Sequence, residues 1–136
     1  MNRETRTLIE KYYAAFNASD METFFGLLTD DVIHDINQGP REIGKEAFRA
    51  FMARMNRNYK EQLIDIVIMT NEGGTRAAAE FVVLGEYMIT DEGLPPARGQ
   101  KYRLPAGAFF EIRDGKVARV TNYYNLQNWI EQVEQA

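Results

Sequence analysis

An α+β fold, with helices covering one face of a curved, mostly antiparallel sheet, is predicted by the order of patterns along this chain. Three stretches with apolar residues at helical spacing and a single strand-like run occupy the first part of the chain, and long β-rich runs follow beyond residue 58. The separators of those runs are turn chemistry: Asn71-Glu72-Gly73-Gly74, Asp91-Glu92-Gly93-Leu94-Pro95-Pro96 and Asp114-Gly115. Successive strands therefore pair as hairpins, and helices gathered ahead of a meander define the α+β class.

Leu8, Ile9, Tyr12, Tyr13 and Phe16 predict a first helix over residues 3–16, with Glu10 and Lys11 on its wet side. Ser19 followed by Glu22 has the spacing of a capping box and opens a short second helix carrying Phe24, Phe25, Leu27 and Leu28. A strand over residues 31–39 ends at Gly39-Pro40. Ile43, Ala47, Phe48, Phe51, Met52 and Met55 then mark a third helix from about Gly44. Strands follow over residues 63–70, 77–90, 102–113 and 116–124, and a last helix over 126–133. The chain, residues 1–136, reads as one domain.

Composition removes several classes of function. With no cysteine there are no disulfides, thiolate metal sites or thiol nucleophiles. One histidine leaves too few ligands for a metal, and no phosphate loop or dinucleotide fingerprint is present, so no cofactor is expected. The net charge of −4, with 16 Lys and Arg among 20 acids, argues against nucleic acid. A charged N-terminus with no long apolar run behind it predicts a cytoplasmic protein without a membrane segment. Phe81-Val82-Val83-Leu84 and Ala108-Phe109-Phe110 are apolar on both faces of their strands. A second subunit covering the outer sheet face, in a C2 homodimer, is the expectation.

The only histidine lies in the run Asp31-Val32-Ile33-His34-Asp35-Ile36-Asn37, whose two faces differ. Period two turns Val32, His34 and Ile36 inward and sends Asp35 to water or a rim arginine. An inward imidazole is either a core residue with satisfied nitrogens or an acid/base group that titrates near neutrality.

Lys11-Tyr12-Tyr13-Ala14-Ala15-Phe16-Asn17-Ala18-Ser19-Asp20, the opening Thr29-Asp30-Asp31-Val32 and the closing Gly115-Lys116-Val117-Ala118-Arg119-Val120 resemble the nuclear transport factor 2-like cone fold. Within it the chain is similar to SnoaL-like and ketosteroid-isomerase-related proteins. The resemblance implies a pocket inside the cone and aligns Tyr12 with the enolate-holding tyrosine of ketosteroid isomerase. That enzyme's base falls on Ile36 and its second aspartate among Ala106, Gly107 and Ala108, so its catalytic set is absent. The Arg and two Asp of limonene epoxide hydrolase fall on Phe81, Val83 and Asn122, which removes that chemistry too.

The same alignment implies a mostly apolar lining of Ile36, Phe81, Val83, Tyr87, Tyr102, Leu104, Ala106, Ala108 and Tyr124 beside the polar Tyr12, His34 and Asn122. The resulting expectation is a cofactor-free acid/base catalyst, of isomerase, cyclase or dehydratase type, acting on a small, largely apolar carbonyl compound. His34 is the proton shuttle in this reading, with Tyr12 and Asn122 as polarising donors. The alternative is a non-catalytic ligand-binding or scaffold protein of the same fold. The two differ in His34: a shuttle needs an imidazole open to the cavity, a structural histidine a sealed one.

Overall fold

A computed structural model of the chain describes residues 2–136. Helix α1 (Asn2–Asn17) buries Leu8, Ile9, Tyr12 and Tyr13, the stripe that its spacing requires. Helix α2 (Met21–Gly26) is capped by Asp20, whose carboxylate accepts hydrogen bonds from the Thr23 backbone N–H at 3.2 Å and hydroxyl at 2.7 Å. The Ser19–Glu22 capping box is therefore a misreading. Ser19 sits at φ 56° and helps to close α1, its N–H donating to the Phe16 carbonyl.

Leu28 opens strand β1 (Leu28–Asp35) rather than lengthening the helix, so β1 starts earlier than expected and ends before Ile36. A three-residue strand, β2 (Arg41–Ile43), escaped the sequence reading because it is too short to show a period. Ile43 lies on it, 68% exposed, and is not part of helix α3 (Lys45–Asn58). Strands β3 (Tyr59–Thr70), β4 (Arg76–Tyr87), β5 (Gln100–Arg113) and β6 (Lys116–Tyr124) form the meander, and α4 (Leu126–Gln135) closes it. The six strands form one mixed sheet in the order β2-β1-β6-β5-β4-β3, antiparallel except where β1 runs beside β6. Asp114 and Gly115, both at positive φ, make the tight turn before β6, as an Asp-Gly hairpin demands.

The inner sheet face carries Phe81, Val83 and Tyr87 on β4, Tyr102, Leu104, Ala108 and Phe110 on β5, and Val117 and Val120 on β6, all buried. Tyr12 links the helices to it, its ring 4.6 Å from Phe24 and 5.3 Å from Phe110. The free edge of β3 is covered by α1: the Asn17 amide donates to the Leu63 carbonyl and its oxygen accepts from the Leu63 N–H, both at 2.9 Å. The outer face leaves Val67, Met69, Leu84, Phe109 and Tyr123 exposed. No helix among the described residues is long and apolar enough to cross a membrane.

Candidate functional site

A cavity of about 470 Å3 opens where the end of β1, helix α3, the loop after β4 and the start of α4 meet. Ile36, Phe51, Leu94 and Leu126 give it apolar walls, and Glu42, Arg54, Glu92 and Tyr124 give it polar ones. The loop carrying Glu92 and Leu94 is held by Asp91, which is 8% exposed. Its carboxylate accepts from Asn58 Nδ2 at 3.2 Å and the Tyr59 hydroxyl at 3.0 Å, and the Arg54 Nε stands 3.7 Å away. A buried carboxylate with these partners fixes both the loop and Arg54, whose guanidinium also lies 5.6 Å over the Phe51 ring.

His34 points inward with Val32, as the strand period requires, but it does not meet the cavity. It is 1% exposed, stacked on Phe48 at 4.1 Å and capped edge-on by Phe51 at 4.6 Å. Burial depresses its pKa to about 4, against a smaller opposing pull from Asp35. The ring is thus neutral at physiological pH and sealed from the cavity. The shuttle role assigned to it lacks the open geometry that role requires. Asp35 faces the other way and is gripped by Arg41 at 2.6 and 3.0 Å and by the Thr121 hydroxyl at 2.6 Å. The Arg41 hydrogen bond leads in holding its carboxyl below the usual carboxylate range.

Of the expected lining, Ile36 and Tyr124 border the cavity. Tyr12, Phe81, Val83, Tyr87, Leu104 and Ala108 are packed into the core, Ala106 is half-buried on β5, and Asn122 is half-buried on β6 beside Ala108. Burial raises the Tyr12 hydroxyl well above the ordinary tyrosine value, leaving it un-ionised. Tyr12, His34 and Asn122 are therefore not gathered around this opening.

The group that the sequence reading missed is Glu61. It lies on β3 on the same face as Tyr59 and Leu63, and it is the cross-strand neighbour of Gly85, which in turn faces Tyr102 on β5. The Tyr102 hydroxyl donates to Glu61 Oε2 at 2.5 Å. Burial pushes the Glu61 carboxyl up, and the Tyr102 hydrogen bond offsets part of that rise. Burial first, and then the neighbouring Glu61 charge, push Tyr102 far above the ordinary tyrosine value, so the phenol stays a donor. Burial leads in raising the Tyr124 hydroxyl, and the charges of Glu61 and Asp91 add to the rise; Tyr124 lines the cavity, whereas Glu61 and Tyr102 do not. The available signal was the alternation Tyr59, Glu61, Leu63, which continues the β3 pattern four residues before its apolar part. Among the described residues no three of His, Cys, Asp and Glu are grouped as a metal ion would need.

The SnoaL-like domain family matches residues 9–120, and the chain belongs to that family. A candidate polyketide cyclase from Pseudomonas putida KT2440 is 65% identical over 93% of this chain and 95% of its own, with a TM-score of 0.92. Another, from Xanthomonas campestris pv. campestris, is 57% identical over 97% and 98%, with a TM-score of 0.94. A nuclear transport factor 2-like protein from Burkholderia xenovorans LB400, 12% identical over 98% of both chains, shares the fold at a TM-score of 0.78. None of the curated proteins matches the sequence.

Proposed function

We propose that this SnoaL-like protein is a cofactor-free acid/base catalyst of cyclase or isomerase type, acting on a small carbonyl compound admitted through the cavity beside Arg54 and Tyr124. The observation that carries the reading is the Glu61–Tyr102 pair: a carboxyl made more basic by burial and held by a phenol that stays protonated. The kinship with candidate polyketide cyclases supports the reaction class. Glu61 does not itself line the cavity. In this mechanism the substrate reaches past Tyr124 to the Glu61 carboxylate, which removes a proton from the carbon next to the carbonyl. The C–H electron pair moves into the enolate, whose oxygen takes hydrogen bonds from Tyr124 and Arg54. The enolate carbon then attacks a second carbonyl of the same molecule, closing a ring as the Glu61 carboxylic acid returns its proton to the new alkoxide; where a neighbouring double bond extends the enolate, the γ-carbon instead takes that proton back from Glu61 and the double bond shifts.

The second reading, a binding protein without chemistry, is favoured by the sealing of His34. Deuterium exchange at the α-carbons of 2-tetralone in heavy water separates the two. Catalysed exchange that disappears in Glu61→Gln supports the catalyst, and exchange no faster than in buffer supports the binding protein. We propose further that the molecule acts as a homodimer through its outer sheet face, where Phe109 and Tyr123 stand exposed in edge-on contact at 5.8 Å.

A further inference from the structure

Strand β2 inverts the usual polarity of a sheet: Glu42 turns toward His34, its cross-strand partner, while the neighbouring Ile43 is 68% exposed. A local rule broken in this way marks a site where something other than packing is served. The two side chains confirm the anomaly. His34 Nδ1 and Glu42 Oε1 are both buried, both lack a hydrogen-bond partner, and stand 3.7 Å apart, too far to bond to each other. Glu42 and Phe51 line the cavity and both abut His34, so the imidazole lies one side chain behind the cavity wall.

We infer that Glu42 and His34 form a two-point binding site, behind Phe51, for a hydroxyl group on an aromatic or similarly apolar ring. A single oxygen can sit about 2.8 Å from each of two atoms at this separation. The neutral imidazole with its proton on Nδ1 donates to that oxygen, and the hydroxyl's own proton goes to Glu42 Oε1, so both orphaned atoms are satisfied at once. The stem of such a molecule would lie along Phe51, Ile36 and Leu126, the apolar wall of the cavity. A ketone or ether supplies no proton to Glu42, and an ammonium supplies no acceptor to His34. The inference rests on the cavity being the entrance for the small molecule in the proposed function, but it concerns binding and not proton transfer.

The chain has one histidine, so the imidazole 15N resonances are assigned without mutagenesis. Phenol and anisole are titrated into the 15N-labelled protein, anisole being the same ring with its hydroxyl proton replaced by methyl. Phenol is expected to shift the His34 Nδ1 signal saturably, and anisole to bind at least tenfold more weakly. Glu42→Leu should abolish the preference for phenol, and Glu42→Gln, which keeps the shape of the side chain should the leucine variant not fold, should weaken phenol about tenfold. Equal binding of phenol and anisole, an unmoved Nδ1 signal, or unchanged phenol affinity in the glutamine variant would overturn the site. These readouts are independent of 2-tetralone exchange, so loss of catalysis and loss of this site are told apart.

Discussion

Tyr102 reaches the Glu61 carboxylate across an intervening strand, its ring lying over Gly85, where any other residue would place a side chain. A Cβ at Gly85 would stand 2.2 Å from Tyr102 Cζ and 2.4 Å from its hydroxyl oxygen. Gly85→Ala should therefore force the ring aside and destabilise the fold by about 1–3 kcal/mol, the usual cost of overpacking. Because the clash is with Tyr102, combining it with Tyr102→Ala should cost less than the two changes added, a coupling that a denaturation double-mutant cycle measures. Additive costs would show that Gly85 does not make room for the pair.

Glu61 ties activity and stability to pH in opposite senses. Its folded carboxyl is raised above the ordinary value, so the folded state disfavours its ionisation. The stability associated with the protonated form is present below the unfolded pKa and is lost as pH rises through the higher folded value. Activity should rise over the same window, because the carboxylate is the base. Glu61→Gln should lower turnover by roughly 10²–10⁴-fold. It should also flatten this part of the stability profile, measured as urea midpoints against pH. An unchanged profile in the variant would remove Glu61 from both roles.

His34 contributes in the other direction. Its pKa is about 4 in the folded chain against an ordinary 6.5, with burial as the leading cause. A histidine depressed in this way stabilises fully above the unfolded pKa, and the contribution is lost as pH falls from 6.5 through 4. The shift corresponds to roughly 3 kcal/mol. The difference in urea midpoint between the native protein and His34→Gln isolates this term from the carboxylates. It should shrink across that window and be flat above it; a constant difference would show that His34 does not titrate as a buried neutral ring.

The parts legible in the sequence were those written in short-range pattern. Leu8, Ile9, Tyr12 and Tyr13 face the core because helical period alone puts them together, and Asp114-Gly115 makes its turn from backbone preference. Val32 and His34 face inward and Asp35 outward because period two leaves no other choice. The site itself depended on what lies across the fold. Phe48 and Phe51 seal His34 from a helix after the strand, and nothing in residues 31–39 announces them. Glu61 went unread because Tyr59-Lys60-Glu61-Gln62 looks like a polar lead-in to an apolar strand. Only the register that aligns Glu61, Gly85 and Tyr102 reveals the pair.

The outer sheet face supplies the last prediction. Val67, Met69, Leu84, Phe109 and Tyr123 are between 37% and 56% exposed there, an apolar surface of the kind that marks an interface. Some of the charges on the same sheet already have partners. Arg119 meets Glu111 at 3.1 Å, Arg76 meets Glu111 at 3.0 Å, and Asp35 is held by Arg41 and Thr121. Covering this face buries apolar area while those pairs stay neutralised, and the exposed Glu80 and Arg103 on the same face need partners from the second subunit or a place at the rim. A standard interface removes about 800 Å2 per partner, so the contact would extend beyond Phe109 and Tyr123 over neighbouring residues of the sheet. At micromolar concentration the protein should sediment at twice the 15.7 kDa of the chain. Phe109→Lys combined with Tyr123→Lys places like charges opposite one another across the axis and should yield a folded monomer. A native protein that sediments as a monomer, or a double variant that remains a dimer, would place the contact elsewhere or remove it.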